Sequence, residues 1–245
     1  MDLFTKTIEA VRAFTESNPS HMTWLWDKDA QWPSCNGKGI VLKDDLGLEL
    51  GSPEKESVSC LLWTHDLSAV EDGRISLIGP DFLESAGKSL PFGKVVLVGV
   101  TGFDEDNAYD RHKELDFLRY DLDLKGYMMR AVSQYMREWC RISREALSMG
   151  FSARDLGSSL IKLIRGKHYV RAVEVIYLTS STEDVRKLGE ITASAEKIIA
   201  AMNKMAGEFE YDCTSCDYQE VCNEADGLKG MRDRLKEKTR GALHG

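Results

Sequence analysis

The sequence predicts an α+β fold: a mixed or antiparallel sheet with helices packed on it, and a helical tail that follows a cluster of cysteines. Three observations predict it. Up to Val100 the chain consists of short apolar or alternating runs separated by Gly-, Pro- and Asp-rich turns, which is the pattern of strands. Beyond Asp104 strands alternate with helical stripes of period 3.6. The segment Asp212-Cys-Thr-Ser-Cys-Asp-Tyr-Gln-Glu-Val-Cys-Asn223 then places three thiols at C-x2-C-x5-C spacing.

In chain order, Phe4, Ile8, Val11 and Phe14 recur at helical spacing, and Asn18-Pro19 ends that helix. Trp24, Trp26 and Trp32, around His21 and Pro33, read as an aromatic plug on one side of a core rather than a ligand site. Ile40–Leu42, Leu46–Leu50 and Val58–Thr64 read as strands, as do Ile75–Ile78 and Lys94–Val100. Asp44-Asp45, Gly51-Ser52-Pro53, Glu71-Asp72-Gly73 and Gly79-Pro80-Asp81 supply turns, so this half reads as mostly antiparallel. Asp104–Tyr120 reads as a charged helix and Gly126–Tyr135 as a second helix. A strand follows over Glu138–Ile142, then a short helix, Ser143–Met149, stopped by Gly150. Ser152 with Asp155 forms a capping-box variant before Leu156, Leu160 and Leu163. Val170–Thr179 is a strong strand. Ser180 and Glu183 cap the longest helix, whose stripe is Val185, Leu188, Ile191, Ala195, Ile198, Met202 and Met205. Glu224 to Gly241 reads as a charged helix with a thin stripe at Leu228, Met231 and Leu235, lying on the body. The expected organisation is an N-terminal helix and β segment (1–69), an α+β domain (70–207) and a cysteine loop with C-terminal helix (208–245), packed as one unit.

Composition narrows the functional classes. The net charge of −8 repels phosphate backbones and argues against nucleic acid. No apolar run approaches the roughly 20 residues that span a bilayer. Six cysteines in 245 residues, with no signal-peptide pattern, point to a reducing cytoplasm.

Soft thiolates at this spacing select an iron–sulfur cluster or zinc. Cys213, Cys216 and Cys222 are the local ligands of a [4Fe–4S] cluster on this reading, and the fourth comes from far away in sequence. Zinc and three unligated thiols are the alternatives; no second C-x2-C pair and no H-x3-H supports a zinc finger. Among the other cysteines, Cys35 lies in the turn Pro33-Ser34-Cys35-Asn36-Gly37 and is the favoured fourth ligand, with Cys60 next. Cys60 and Cys140 read as strand core positions, and His21, His65, His112 and His168 as ordinary surface or core residues.

Val70-Glu71-Asp72-Gly73-Arg74-Ile75, Ile78-Gly79-Pro80-Asp81 and Leu90-Pro91-Phe92-Gly93 form an ordered series. Arg141-Ile142-Ser143-Arg144-Glu145-Ala146, Leu156-Gly157 and Ala172-Val173-Glu174-Val175-Ile176-Tyr177 continue it. Over Val70–Ile191 this series resembles the central domain of the acetyl-CoA synthase β subunit of the carbon monoxide dehydrogenase/acetyl-CoA synthase complex. The resemblance implies anaerobic one-carbon and acetyl-CoA metabolism. It also implies a corrinoid protein or a carbon monoxide dehydrogenase as partner. In that family a C-x2-C pair and further cysteines hold a nickel–iron–sulfur centre. Cys213 and Cys216 match the pair and Cys222 loosely the next ligand, but no Cys-Gly-Cys for the distal nickel occurs in the chain. The expectation is therefore an electron-transfer or docking component without a complete nickel site. A structural cluster on a coenzyme A-binding or assembly module, and an acyl or methyl transferase, are the alternatives. The resemblance further implies that basic and Trp residues at strand–helix junctions handle coenzyme A. Arg137, Arg141 and Arg144 are the candidates, against the plain reading that they pair with nearby acids. A narrower resemblance, to the iron–sulfur clasp of RecB-type nucleases, concerns the cysteine pattern only, because their Glu-x-Lys is absent here.

Overall fold

The computed structural model describes residues 2–29, 31–37, 39–130, 136–207, 217–225 and 227–234. Among the described residues nine strands form two sheets. The larger has the order β1 (His21–Leu25), β4 (Arg74–Ile78), β9 (Val170–Leu178), β6 (Phe92–Val100), β3 (Ser57–Thr64). The smaller runs β5 (Ser89–Leu90), β2 (Leu46–Leu50), β8 (Trp139–Ser143), β7 (Tyr127–Arg130). The fold is α+β, as expected, but the N-terminal half is mixed rather than mostly antiparallel. β3 pairs with β6, β4 with β9 and β2 with β5 in parallel, while β6 and β9 are antiparallel. Apolar runs with turns between them mark strands but carry no information about which strand lies beside which. The larger sheet takes strands from both sides of Val70.

All nine residues of β6 are buried, as expected for a central strand covered on both faces. Gly93 of β6 faces Leu188 of α5 (Thr182–Gly207), the long helix, which also packs on β3. The next residue, Lys94, and then Val96 line a small cavity with Leu160 and Ile164 of α4 (Ala153–Arg165). Alternation along the strand thus places α5 and α4 on opposite faces. Gly157 lets α4 seat closely on β4, since a Cβ there would lie 2.9 Å from Ile75 side-chain atoms. α1 (Thr5–Ser17) lies on α5, with Thr7 and Ser194 hydroxyls 3.0 Å apart.

Several local expectations hold. The capping box of α4 is complete: Asp155 N–H donates to Ser152 Oγ (3.3 Å) and Ser152 N–H to Asp155 Oδ2 (2.9 Å). Ser152→Ala is expected to lower stability by about 1 kcal/mol in chemical denaturation. α3 (Arg144–Ser148) ends before Gly150, whose φ is +90°. Leu228 and Met231 are buried within the helical residues 228–234; Leu235 lies outside the described residues.

Four expectations are corrected. Residues 127–130 are strand β7, not helix, because they pair with β8 and bury Tyr127 against Cys140; 131–135 lie outside the described residues. Ile40–Leu42 form no strand, and Ile40 and Leu42 are exposed. The cap of α5 is Ser181, whose Oγ accepts from Asp184 N–H at 3.1 Å, one residue beyond Ser180. α2 (Ala108–Phe117) is shorter than Asp104–Tyr120, and a 3-10 turn continues it.

Candidate functional site

The smaller sheet has one buried and one solvent-facing side. Along β8, Cys140 and Ile142 point inward, so Trp139 and Arg141 point outward. The register places Glu49 of β2 opposite Arg141, and Arg130 of β7 opposite Trp139, so all four share the outer face. The Arg130 guanidinium carbon lies 4.2 Å from the Trp139 ring centroid and that of Arg141 5.3 Å from it, both within cation–π range. Glu49 Oε1 accepts from Trp139 Nε1 at 3.1 Å and from Arg141 Nε at 2.9 Å. Two cations and one carboxylate thus surround an indole on a chain whose net charge is negative. Such a face suits a ligand with a planar ring and an anionic group.

Of the three arginines singled out from sequence, Arg141 lines this face. Arg137 donates to the Lys55 and Ser52 carbonyls at 2.8 and 3.3 Å. Arg144 donates to the Asp44 carbonyl. The pairing with an acid that composition suggested is realised at Arg141 with Glu49. Trp139, Arg130 and Glu49 were missed. Alternation in Arg137-Glu138-Trp139-Cys140-Arg141 could have found Trp139, whereas Arg130 and Glu49 become neighbours only through strand pairing.

Behind this face is a buried ionic centre. Glu138, 2% exposed, pairs with Lys94, 4% exposed. It also accepts from Ser59 Oγ (3.0 Å), Cys140 Sγ (3.4 Å) and Tyr127 OH (3.5 Å). Arg119 reaches Ser59 Oγ at 3.4 Å and Asp116 at 3.1 Å. Burial alone would push the Glu138 carboxyl up, but the Lys94 and Arg119 charges outweigh it and hold it below the ordinary range. Burial, with the Glu138 charge next, pushes Cys140 well up. The centre joins β3 and β6 of one sheet to β7 and β8 of the other.

The described cysteines lie on different elements of the fold. Cys60 is buried in β3, and burial pushes its thiol up to about 12. Both it and Cys140 are core thiols rather than ready ligands. Cys35 lies in a turn held by Asp123, whose Oδ1 accepts from Cys35 N–H at 2.9 Å; burial and then that carboxylate raise its thiol. Cys222 is buried on α6 (Gln219–Glu224), a short helix that folds back on α5, with Lys204 of α5 5.8 Å from the Tyr218 ring centroid. Cys213 and Cys216 lie outside the described residues. Among the described residues no group of three or more His, Cys, Asp or Glu is arranged to hold a metal ion. Three soft thiols within ten residues, one of them buried on α6, are donors of the kind a cluster takes. Among the described residues no helix is long and apolar enough to cross a membrane.

The structure is thus an α+β body that carries a basic, indole-centred sheet face. The family model for the β subunit of the CO dehydrogenase/acetyl-CoA synthase complex matches residues 33–185, and the chain belongs to that family. The match contains the whole outer face and Cys35 but ends before Cys213. The chain is similar to acetyl-CoA decarbonylase/synthase complex subunit beta 1 of Methanosarcina thermophila, 24% identical over 184 residues, covering 72% of this chain and 38% of that protein. It is also similar to the carbon monoxide dehydrogenase/acetyl-CoA synthase subunit alpha of Moorella thermoacetica, 25% identical over 195 residues, covering 75% and 25%. The β subunit of Methanothermobacter thermautotrophicus is 29% identical over 130 residues, covering 52% and 27%. The chain thus spans less than two fifths of these relatives' lengths.

Proposed function

We propose that this chain is a coenzyme A-binding, cluster-carrying component of one-carbon and acetyl-CoA metabolism, acting in electron transfer or docking rather than completing a nickel site. The observation that carries the reading is the outer face of the smaller sheet, where Trp139, Arg130 and Arg141 come together inside the family-matched segment. A coenzyme offering an adenine ring beside phosphates meets the indole by stacking and the guanidinium groups by charge-assisted hydrogen bonds. Arg137 and Arg144 flank the same strand and are proposed as secondary contacts for the diphosphate.

Cys213, Cys216 and Cys222 are proposed to hold a [4Fe–4S] cluster, with zinc as the competing metal and Cys35 as the distant fourth ligand. When bound, the cluster supplies one-electron redox capacity. The soft donor set and the burial of Cys222 support this. The partner proposed is a carbon monoxide dehydrogenase or corrinoid protein, in keeping with the complexes named for the relatives. The folding of α6 back onto α5 favours a second reading, in which the cluster is a structural clasp.

Anaerobic purification with metal and sulfide analysis tests the cluster: about four irons and four sulfides per chain are expected, and stoichiometric zinc without sulfide refutes it. A cluster that is reduced and reoxidised intact supports electron transfer over the clasp. Calorimetric titration tests the face: Arg141→Ala is expected to weaken coenzyme A about tenfold or more, the scale of a lost charge-assisted contact. An unchanged affinity refutes the face.

A further inference from the structure

We propose that Glu49 sets both the geometry and the charge selectivity of the Trp139–Arg141 face, a role that rests on the reading of this face as a coenzyme A site. One carboxylate oxygen, Oε1, takes the indole N–H and the Arg141 Nε–H together. That shared acceptor holds an aromatic edge and a guanidinium in one fixed relation, on adjacent turns of the pleat. The bond to Arg141 runs through Nε, so the Nη fork is not consumed by it. Both side chains are only 16% exposed, so the pair is less screened than a surface salt bridge.

The same carboxylate puts a negative charge within hydrogen-bonding distance of the group that meets phosphate. It therefore opposes an anionic ligand while ordering the residues that bind it. These two effects separate by substitution. Glu49→Gln keeps an acceptor oxygen of the same length and removes the charge. Glu49→Ala removes both. Glu49 is a positioning residue here, and its signature is a dependence on ligand charge that mere loss of stability does not produce.

The experiment is calorimetric titration of the full chain and both variants with coenzyme A and with dephospho-coenzyme A, at two salt concentrations. Glu49→Gln is expected to bind coenzyme A about three- to tenfold tighter than wild type, with a smaller gain for the dephospho form and a smaller gain at high salt. Glu49→Ala is expected to bind both ligands more weakly than Glu49→Gln. Unchanged or weaker binding by Glu49→Gln overturns the charge role. Equal affinities of the Gln and Ala variants overturn the positioning role. Failure of the wild type to bind either ligand overturns the site reading itself and this inference with it.

Discussion

Glu138→Ala is expected to destabilise the fold by about 3–5 kcal/mol, because it leaves the Lys94 ammonium buried without its counter-charge. Lys94 is 4% exposed, and Ser59, Tyr127 and Cys140 lose their acceptor in the same substitution. Lys94→Met should cost a similar amount by stranding the carboxylate. The double replacement Lys94→Met with Glu138→Leu should cost clearly less than the sum of the two, since neither partner is then left buried without the other. Urea denaturation of the four proteins measures this directly, and additive losses would show that the pair is not coupled. The centre also predicts a pH dependence. Its carboxylate is held below the ordinary range, so it contributes stability above the unfolded carboxylate value of roughly 4. That contribution fades as pH falls from there through the folded value. Denaturation midpoints of the wild type should drop across this acid window more steeply than those of the double variant.

Gly51→Ala is expected to cost about 3 kcal/mol or more, from two sources at one position. Gly51 has φ +63°, where a side chain costs roughly 1–2 kcal/mol. A Cβ there would also fall 2.3 Å from the Glu138 carbonyl oxygen and 2.8 Å from Ser57 Oγ. The first contact is with backbone and cannot be relieved by a rotamer change; relief needs movement of the chain that delivers Glu138 to Lys94. The melting temperature should fall by roughly 6–12 °C for a chain of this size. Gly87→Ala is the comparison: its φ is +78° but nothing lies within 4 Å of the added carbon, so it isolates the conformational part. Equal losses at the two positions would show that the clash with Glu138 contributes nothing.

Both predictions concern the junction between the sheets, which the sequence concealed. Lys94 opens a strongly apolar run and Glu138 sits before a strand 44 residues later, so nothing local links them. Local signals were legible at several places where the physics is local. The Ser152–Asp155 capping box, the stop at Gly150 and the stripe of α5 depend on residues within one or two helical turns. Residues 127–130 were misread as helix because Met128 and Met129 suit either state, and pairing with β8 decided between them. At the candidate face the sequence pointed to Arg141 but not to Arg130 or Glu49, which lie 11 and 92 residues away from it along the chain and beside it or Trp139 only across strands.

By itself the sequence determined the class of fold, the helix limits at Ser152 and Gly150, and the family to which the body belongs. Tertiary structure alone decided which strands run parallel, that Glu138 meets Lys94, and that one carboxylate orders an indole and a guanidinium. The physical reason is range. Caps and periodic stripes act over a few bonds, whereas ion pairs and sheet faces are formed by groups that only the folded backbone brings within a few ångströms.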